Sequence, residues 1–450
     1  MNHIRRPRWQ KLAALLVLAA ILIPPSISLP ALAADQALVL ESLQVLHEHY
    51  VDPVDPVKVL NAAIGGLRTH LSASGTSVDL ADIPVGVSEA EASQLFSERF
   101  AAAVNAAAGN VTKTQLAFAA IRGMTESFHD SHTGFLTPQQ NLERRLRQRG
   151  QAGFTGIGIV LLPKEGKFYV MLVIPGSPAE AAGVREFDRI MKVNDVPTGG
   201  LSVEQVSAMI RGQEGTAVTL TLQRPGVTDP VVSTITRAPI FVPAIFRSEL
   251  LDGGLGYIRL YQFVERTGRE FRSAVTRLQA QGMRALILDI RSNSGGFLQE
   301  LNSVLNALLP AGERIYVEMR QGGKVRVVRT VGPPLVARTL PIVVLVDEGS
   351  ASAAELLAGA IKENGRGQLV GEKTAGAVEA SVLIDLSDGS ALSVTTFRLA
   401  TGRGVRLEGV GVEPDVPAPL SASDLDAGQD RPLSSAIRLA RQILALPASR

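Results

Sequence analysis

The chain has 450 residues, 46% of them hydrophobic and 20% charged, which is more than one ordinary domain needs and ample material for cores. A formal net charge of +2 suggests no nucleic-acid partner, and the absence of cysteine excludes a thiol nucleophile and any thiolate metal site.

The first residues read as an export signal. Arg5, Arg6, Arg8 and Lys11 precede an apolar run from Leu12 to Ile23, then Pro24-Pro25, then Ala31-Leu32-Ala33. Positive start, short apolar stretch and small residues at the expected cleavage positions predict a signal peptide over residues 1–33. A retained anchor is the alternative. The apolar stretch is short for a span of roughly 20 residues, and the proline pair breaks it, so no stable membrane span is expected after cleavage. The destination would be the periplasm, the cell exterior or a thylakoid lumen.

Residues 34–150 carry helical periodicity. Val59, Leu60, Ala63, Ile64 and Leu67 fall on one face, and Phe118, Ile121 and Met124 are spaced by three. A polar loop at Ser72–Ser88 interrupts the pattern, and Arg144–Gly153 reads as a basic linker. His47, His49 and His70 show no metal-ligand spacing.

Residues 151–228 change to short strands punctuated by Gly and Pro, with strands at Val170–Ile174 and Val218–Leu222 and a helix at Val203–Arg211. Phe154-Thr155-Gly156-Ile157-Gly158-Ile159 is followed by Gly176-Ser177-Pro178-Ala179, Ala182-Gly183-Val184, Asp188-Arg189-Ile190 and Gly215-Thr216. This ordered series resembles a PDZ domain of the kind found in bacterial proteases. A Gly-rich turn frees backbone N–H groups to hold a terminal carboxylate, and the adjacent strand edge can take a peptide as an added strand. Phe154, Gly156, Ile157, Gly158 and Ile159 are therefore the expected peptide-binding residues.

Residues 240–420 alternate apolar strands (Gly256–Tyr261, Ala285–Ile290, Ile342–Val346) with helical patterns such as Gly268–Gln281, which suggests an α/β core. Residues 421–450 read as a polar, weakly helical tail without chemistry. After Ile342–Val346 comes Asp347-Glu348-Gly349-Ser350-Ala351-Ser352-Ala353-Ala354-Glu355, leading into a helix at Leu356–Glu363. A serine on such a strand-to-helix turn is held with its hydroxyl exposed above a helix N-terminus, although serine is also a common helix cap.

The stretch Gly349–Glu355, with Gly365-Arg366 and Val370-Gly371-Glu372-Lys373-Thr374, is similar to the active-site segment of the C-terminal processing (tail-specific) serine peptidases. Asp289-Ile290-Arg291-Ser292-Asn293-Ser294-Gly295-Gly296 resembles their Gly-Gly turn, and Glu408–Asp415 their closing motif. The resemblance spans about Leu38 to Pro417. It implies a multidomain α/β protein: a helical N-terminal region, a PDZ domain and a crotonase-like peptidase core, with Ser352 as nucleophile. It also implies no cofactor or metal, and protein or peptide substrates held through a free C-terminus. One of the Gly295 and Gly296 N–H groups, together with Ala353 N–H, could form an oxyanion hole.

The pattern departs from the family at one place. Where the commonest members carry a catalytic lysine and a glutamine, this chain has Ala377 and Ser381. Alanine accepts no proton, and a serine hydroxyl without a base is a weak nucleophile. Phe128-His129-Asp130-Ser131-His132-Thr133 resembles instead the Asp-x-His-Thr segment of the tricorn-like branch. That resemblance implies Ser131, His132 as general base, Ser352, and Glu408 as orienting carboxylate; an imidazole suits base catalysis near neutral pH. Lys373 and His129 are the lesser candidates for the base. The competing functional reading is a catalytically inactive binding protein on the same fold, which the loss of lysine at 377 would favour and Ser131-His132 opposes.

Overall fold

The computed structural model describes residues 34–445 except 108, 131, 149–154 and 379, with backbone alone at 34 and 146–148. The expected signal peptide, Ser131 and Phe154 lie outside the described residues. No helix among the described residues is long and apolar enough to cross a membrane.

Four helices, Ala34–His49, Pro56–Ala73, Glu89–Ala106 and Lys113–Glu126, form the N-terminal region. The second begins where Asp55 accepts hydrogen bonds from the Val57 and Lys58 N–H groups, with Pro56 at its first position. Its apolar stripe is buried as the periodicity predicts. The second and fourth helices approach so closely that a Cβ on Gly66 would lie 2.3 Å from the Ala119 carbonyl oxygen, so glycine there sets the helix spacing.

Two sequence expectations change at the end of this region. Gly134–Leu136 is a strand, pairing with Ala391–Thr401 through Gly134–Ser393 to Leu136–Ala391. Residues 144–148 of the supposed linker belong to a helix, Pro138–Gln148, and the rest of it lies outside the described residues. Its start was readable: Thr137 and Gln140 exchange side-chain and N–H hydrogen bonds around Pro138, the reciprocal cap of a Thr-x-x-Gln box.

The PDZ-like unit contains an antiparallel sheet, Ile159–Lys164, Lys167–Val173, Arg189–Val193, Ala217–Gln223 and Val231–Thr236, with the helix Val203–Ile210 beside it. One face of the sheet packs on that helix through Val170, Ile190, Val206, Leu220 and Leu222. The other face docks on the rest of the chain: Tyr169, Met171 and Leu172 pack with Leu420, Ala422 and Leu425. Polar contacts frame this seam, with Tyr169 Oη donating to Asp426 at 3.0 Å and Lys164 Nζ to Glu372 at 3.1 Å.

The core sheet has six strands in the order Ile245–Leu251, Leu255–Leu260, Ala285–Asp289, Ile342–Val346, Gln368–Gly371, Val416–Pro417, parallel after the first pair. Leu255–Leu260, Ala285–Asp289 and Ile342–Val346 are buried throughout, which is why they read as unbroken apolar runs rather than alternating ones. Helices Thr267–Ala280, Leu298–Leu308 and Ala353–Glu363 cover one face. The helix Arg431–Ala445 covers the other, setting Ala436 and Ala440 against Tyr257, Ile287 and Val343. Residues 431–445 are thus an integral layer of the core rather than a tail, and Ala422 and Leu425 before them belong to the seam with the PDZ-like sheet.

A buried ion cluster locks that layer. Asp289, fully buried, accepts from Tyr257 Oη at 2.7 Å and Arg291 Nη2 at 2.7 Å, and Arg291 also binds both carboxylate oxygens of Asp430 at 2.8 Å. Asp430 in turn accepts from the Leu433 N–H in the first turn of the last helix. Burial alone would raise the Asp289 pKa, but Arg259 and Arg291 hold it well below the usual carboxylate range. A depressed carboxylate contributes stability that is present above its ordinary pKa of about 3.9 and is lost as pH falls through the folded value. Arg291→Met is expected to cost about 3–5 kcal/mol, read as a lower urea midpoint at neutral pH, with the difference from wild type shrinking in acid.

Candidate active site

Ser352 sits where the strand Ile342–Val346 has ended and the helix Ala353–Glu363 begins. Its backbone is at φ 56°, ψ −119°, a region that costs a non-glycine residue about 1–3 kcal/mol. The turn is over-determined. The Ser352 N–H donates to the Ala377 carbonyl at 2.8 Å and to Glu355 Oε2 at 3.1 Å, and the Ser352 carbonyl accepts from Glu355 and Leu356.

Glu355 was read from sequence only as part of the motif, yet it organises the turn. It is fully buried. Its Oε1 accepts from Thr374 Oγ1 at 2.6 Å and Gly376 N–H at 2.7 Å, and its Oε2 from Ala377 N–H at 2.9 Å as well as from Ser352. No lysine or arginine is paired with it among the described residues. Four donors and the positive end of its own helix compensate the burial of the charge. The signal in sequence was Ser-x-x-Glu, a capping box whose glutamate is buried instead of exposed.

The Gly-Gly turn lies over the serine. A Cβ on Gly295, at φ 92°, would be 2.7 Å from Ser352 Cβ and 2.9 Å from the Ala353 nitrogen, so only glycine admits this approach. The two glycines differ in what their N–H groups do. Gly295 N–H is spent on Asn293 Oδ1 at 2.8 Å, which removes it as an oxyanion donor. Gly296 N–H and Ala353 N–H make no hydrogen bond among the described residues. Gly296 is placed by Phe263, whose N–H donates to the Gly295 carbonyl and whose carbonyl accepts from Phe297 N–H.

Asp347 ties the two loops together. It accepts from Ser292 N–H at 2.7 Å and Gly349 N–H at 3.0 Å. Burial raises its pKa, against the opposing pull of the Ser292 N–H.

The histidine segment arrives through the second sheet. Asp130 accepts from the N–H groups of His132 and Thr133, from Tyr50 Oη and from Thr395 Oγ1. These donors outweigh its partial burial and hold its pKa below the usual value. His132 is half-buried, and its Nε2 is shielded from solvent without a hydrogen-bond partner among the described residues. The neighbouring Thr133 binds Thr395. Opposite Thr395 on the other side of the strand lies Ser381, and the chain before Ser381 leads back to Ala377, which holds Ser352. Glu408 Oε2 accepts from Val378 N–H at 2.7 Å, and Gly409 N–H donates to Gly376 O at 2.7 Å. Ser352, Ala353 and Glu408 are thus gathered around residues 374–378, whereas His132 is tied to the strand Ala391–Thr401 through Asp130 and Thr133, with no hydrogen bond joining it to Ser352 among the described residues. His129 is exposed on its turn, and Lys373 pairs with Glu413 at 3.1 Å on the surface.

Gly156, Ile157, Gly158 and Ile159 line a groove of about 260 Å³ between the strand Ile159–Lys164 and the helix Val203–Ile210. Gly158, at φ 87°, lets the turn pass Ser177, whose Cβ would be 2.2 Å from an added Cβ.

This combination defines a peptidase-fold core bearing a PDZ domain. Residues 254–418 match the family model of peptidase family S41, and residues 169–224 match that of the PDZ domain. The carboxyl-terminal-processing protease of Synechocystis sp. is 34% identical over 302 residues, covering 66% of this chain and 70% of that protein. That of Picosynechococcus sp. is 33% identical over 305 residues, covering 67% and 73%. The carboxy-terminal processing protease CtpA of Bacillus subtilis is 35% identical over 302 residues, 67% of this chain, and the match spans 63% of that relative's length. The solved structure of a photosystem II D1 C-terminal processing protease superposes with a TM-score of 0.55 at 28% identity, covering 91% of this chain and 97% of that one. The chain belongs to the C-terminal processing serine peptidase family, S41, with a PDZ domain.

The Glu355 hub carries a prediction of its own. Glu355→Gln keeps the shape but turns an NH₂ group toward N–H donors, so at least one buried donor loses its acceptor. The expected loss is about 1–3 kcal/mol, measured by urea unfolding.

Proposed function

We propose that the chain is a serine endopeptidase cleaving C-terminal tails or unstructured segments of exported proteins, with Ser352 as nucleophile, His132 as general base and Glu408 as the orienting carboxylate. The observation that carries this reading is the strained Ser352 turn set beneath two uncommitted N–H groups, those of Gly296 and Ala353. Backbone strain of this kind persists where the surroundings enforce it, and it clusters at reactive residues.

The steps follow from the groups present. A protein tail is held in the PDZ groove, its carboxylate by backbone N–H groups of the Gly156–Ile159 turn. Ser352 Oγ attacks the scissile carbonyl while His132 takes its proton. The oxyanion is held by Gly296 and Ala353 N–H, donors aimed where charge appears only in the tetrahedral state. The C–N bond then breaks, His132 returns the proton to the leaving amine, and an acyl ester remains on Ser352. Water, deprotonated by His132, attacks the ester and releases the second product. Ser131 would support this pair as its sequence neighbour.

His132 is preferred to Lys373 because its Nε2 is shielded and uncommitted, whereas Lys373 is paired with Glu413 at the surface. The alternative, an inactive binding protein, would be favoured by Ala377, which by the motif resemblance falls where the commonest members of the family carry a lysine.

A fluorophosphonate probe tests the reading. Wild type should label and Ser352→Ala should not. His132→Ala should slow labelling and turnover by about 10²–10⁴-fold, whereas Lys373→Ala should leave them near wild type. Absence of labelling in wild type, or undiminished labelling of Ser352→Ala, would refute it.

A further inference from the structure

The tail groove is not built by the PDZ-like unit alone. Val242 and Tyr261, both from the peptidase core, line it together with Ile157, Ile159, Ser207 and Ile210. Thr155–Gly156 pairs with Ala238–Pro239, and Ile240 follows, its Cδ1 3.4 Å from where a Cβ on Gly158 would stand. Residues 238–242 therefore run along the glycine turn, and the core residues close the groove on the side where a terminal carboxylate would be held.

This wall is fixed in place. The Val242 carbonyl accepts from Gln262 Nε2 at 3.3 Å and Arg266 Nη2 at 3.1 Å, and Tyr261 N–H donates to the Ala244 carbonyl at 2.8 Å. The Tyr261 ring packs edge-on against Phe246 with centroids 4.7 Å apart. Burial raises the Tyr261 pKa, with Arg259 opposing, so its hydroxyl stays protonated at neutral pH. That hydroxyl has no hydrogen-bond partner among the described residues.

We infer that Val242 and Tyr261 are specificity determinants of tail recognition supplied by the peptidase core. The inference rests on the tail-capture part of the proposed function and goes beyond it. The walled groove, of about 260 Å³, falls below the 300–1,000 Å³ usual for a drug-sized ligand. Its mostly apolar lining suits an apolar side chain at a chain end, and the wall of Val242 and Tyr261 is what disfavours an aromatic one there. The groove is closed on its core side only while the PDZ-like unit sits on the core, so the docked arrangement sets which tails fit it. The wall also continues directly to Phe263, whose N–H holds the Gly295 carbonyl of the oxyanion turn.

The test measures binding of two labelled, unstructured peptides to the full chain by anisotropy, one ending in alanine and one in phenylalanine, alongside fluorophosphonate labelling of Ser352. Wild type should prefer the alanine tail. Val242→Trp, which fills the groove, should weaken it about tenfold while the labelling rate is unchanged. Val242→Ala, which opens the groove, should narrow the preference over phenylalanine by a similar factor. Wild-type binding of both peptides by both variants would overturn the inference. So would a Val242→Trp variant that loses labelling in step with tail affinity, because the wall would then be a structural support. A wild type that labels at Ser352 but binds neither tail would overturn tail capture itself, and a wild type that does not label would overturn the nucleophile assignment instead.

Discussion

The Glu355 carboxylate is the constraint on which the site depends. A buried anion without a paired cation survives only if enough donors converge on it, and here they come from two places at once: the Ser352 N–H and the segment Thr374–Ala377. Satisfying one side chain therefore fixes the Ser352 turn against the loop that carries Ala377 and Val378. That loop in turn receives Glu408 and Gly409 from the closing motif. The strain at Ser352 is supported by a hydrogen-bond set that would have to break as a whole before the turn could relax.

The remaining architecture brings separate elements to this one place. Asp347 spans from the strand end to Ser292 and Gly349, so the glycine turn and the serine turn move together. Asp130 anchors the histidine segment to Thr395 on the long strand, and that strand shares buried Leu392 and Val394 with the N-terminal helices. The last helix reaches the same end of the sheet through Asp430 and Arg291. The glycine turn, the serine turn and the start of the last helix are thus held at the carboxyl end of the parallel strands, where open α/β sheets present their sites.

Much of this was legible in the sequence, for physical reasons. Strands such as Ile342–Val346 are buried on both faces and announce themselves as apolar runs, and the glycine and serine motifs mark turns whose backbone geometry few other residues adopt. What escaped notice was cooperative or distant. Glu355 has the sequence of an ordinary helix cap, and only burial distinguishes it. Gly295 and Gly296 look alike until Asn293 takes the N–H of the first. The helix Arg431–Ala445 lacks a strong apolar run because small residues, Ala436 and Ala440, face the sheet. Arg144–Gly153 read as a linker because its charges hid a helix that starts at Pro138. Val242 and Tyr261 carry no motif at all; their role comes from lying against a domain inserted earlier in the chain.

The proposed chemistry requires an ester between substrate and Ser352, and detecting it is the most direct measurement. Wild-type protein would be mixed with a tail substrate whose scissile bond is an ester, so that acylation outpaces hydrolysis, and then acid-quenched for peptide-level mass spectrometry. The account predicts a transient adduct of the acyl mass on the peptide containing Ser352, absent in Ser352→Ala. Consumption of the substrate with no adduct, or with the adduct on another residue, would contradict it.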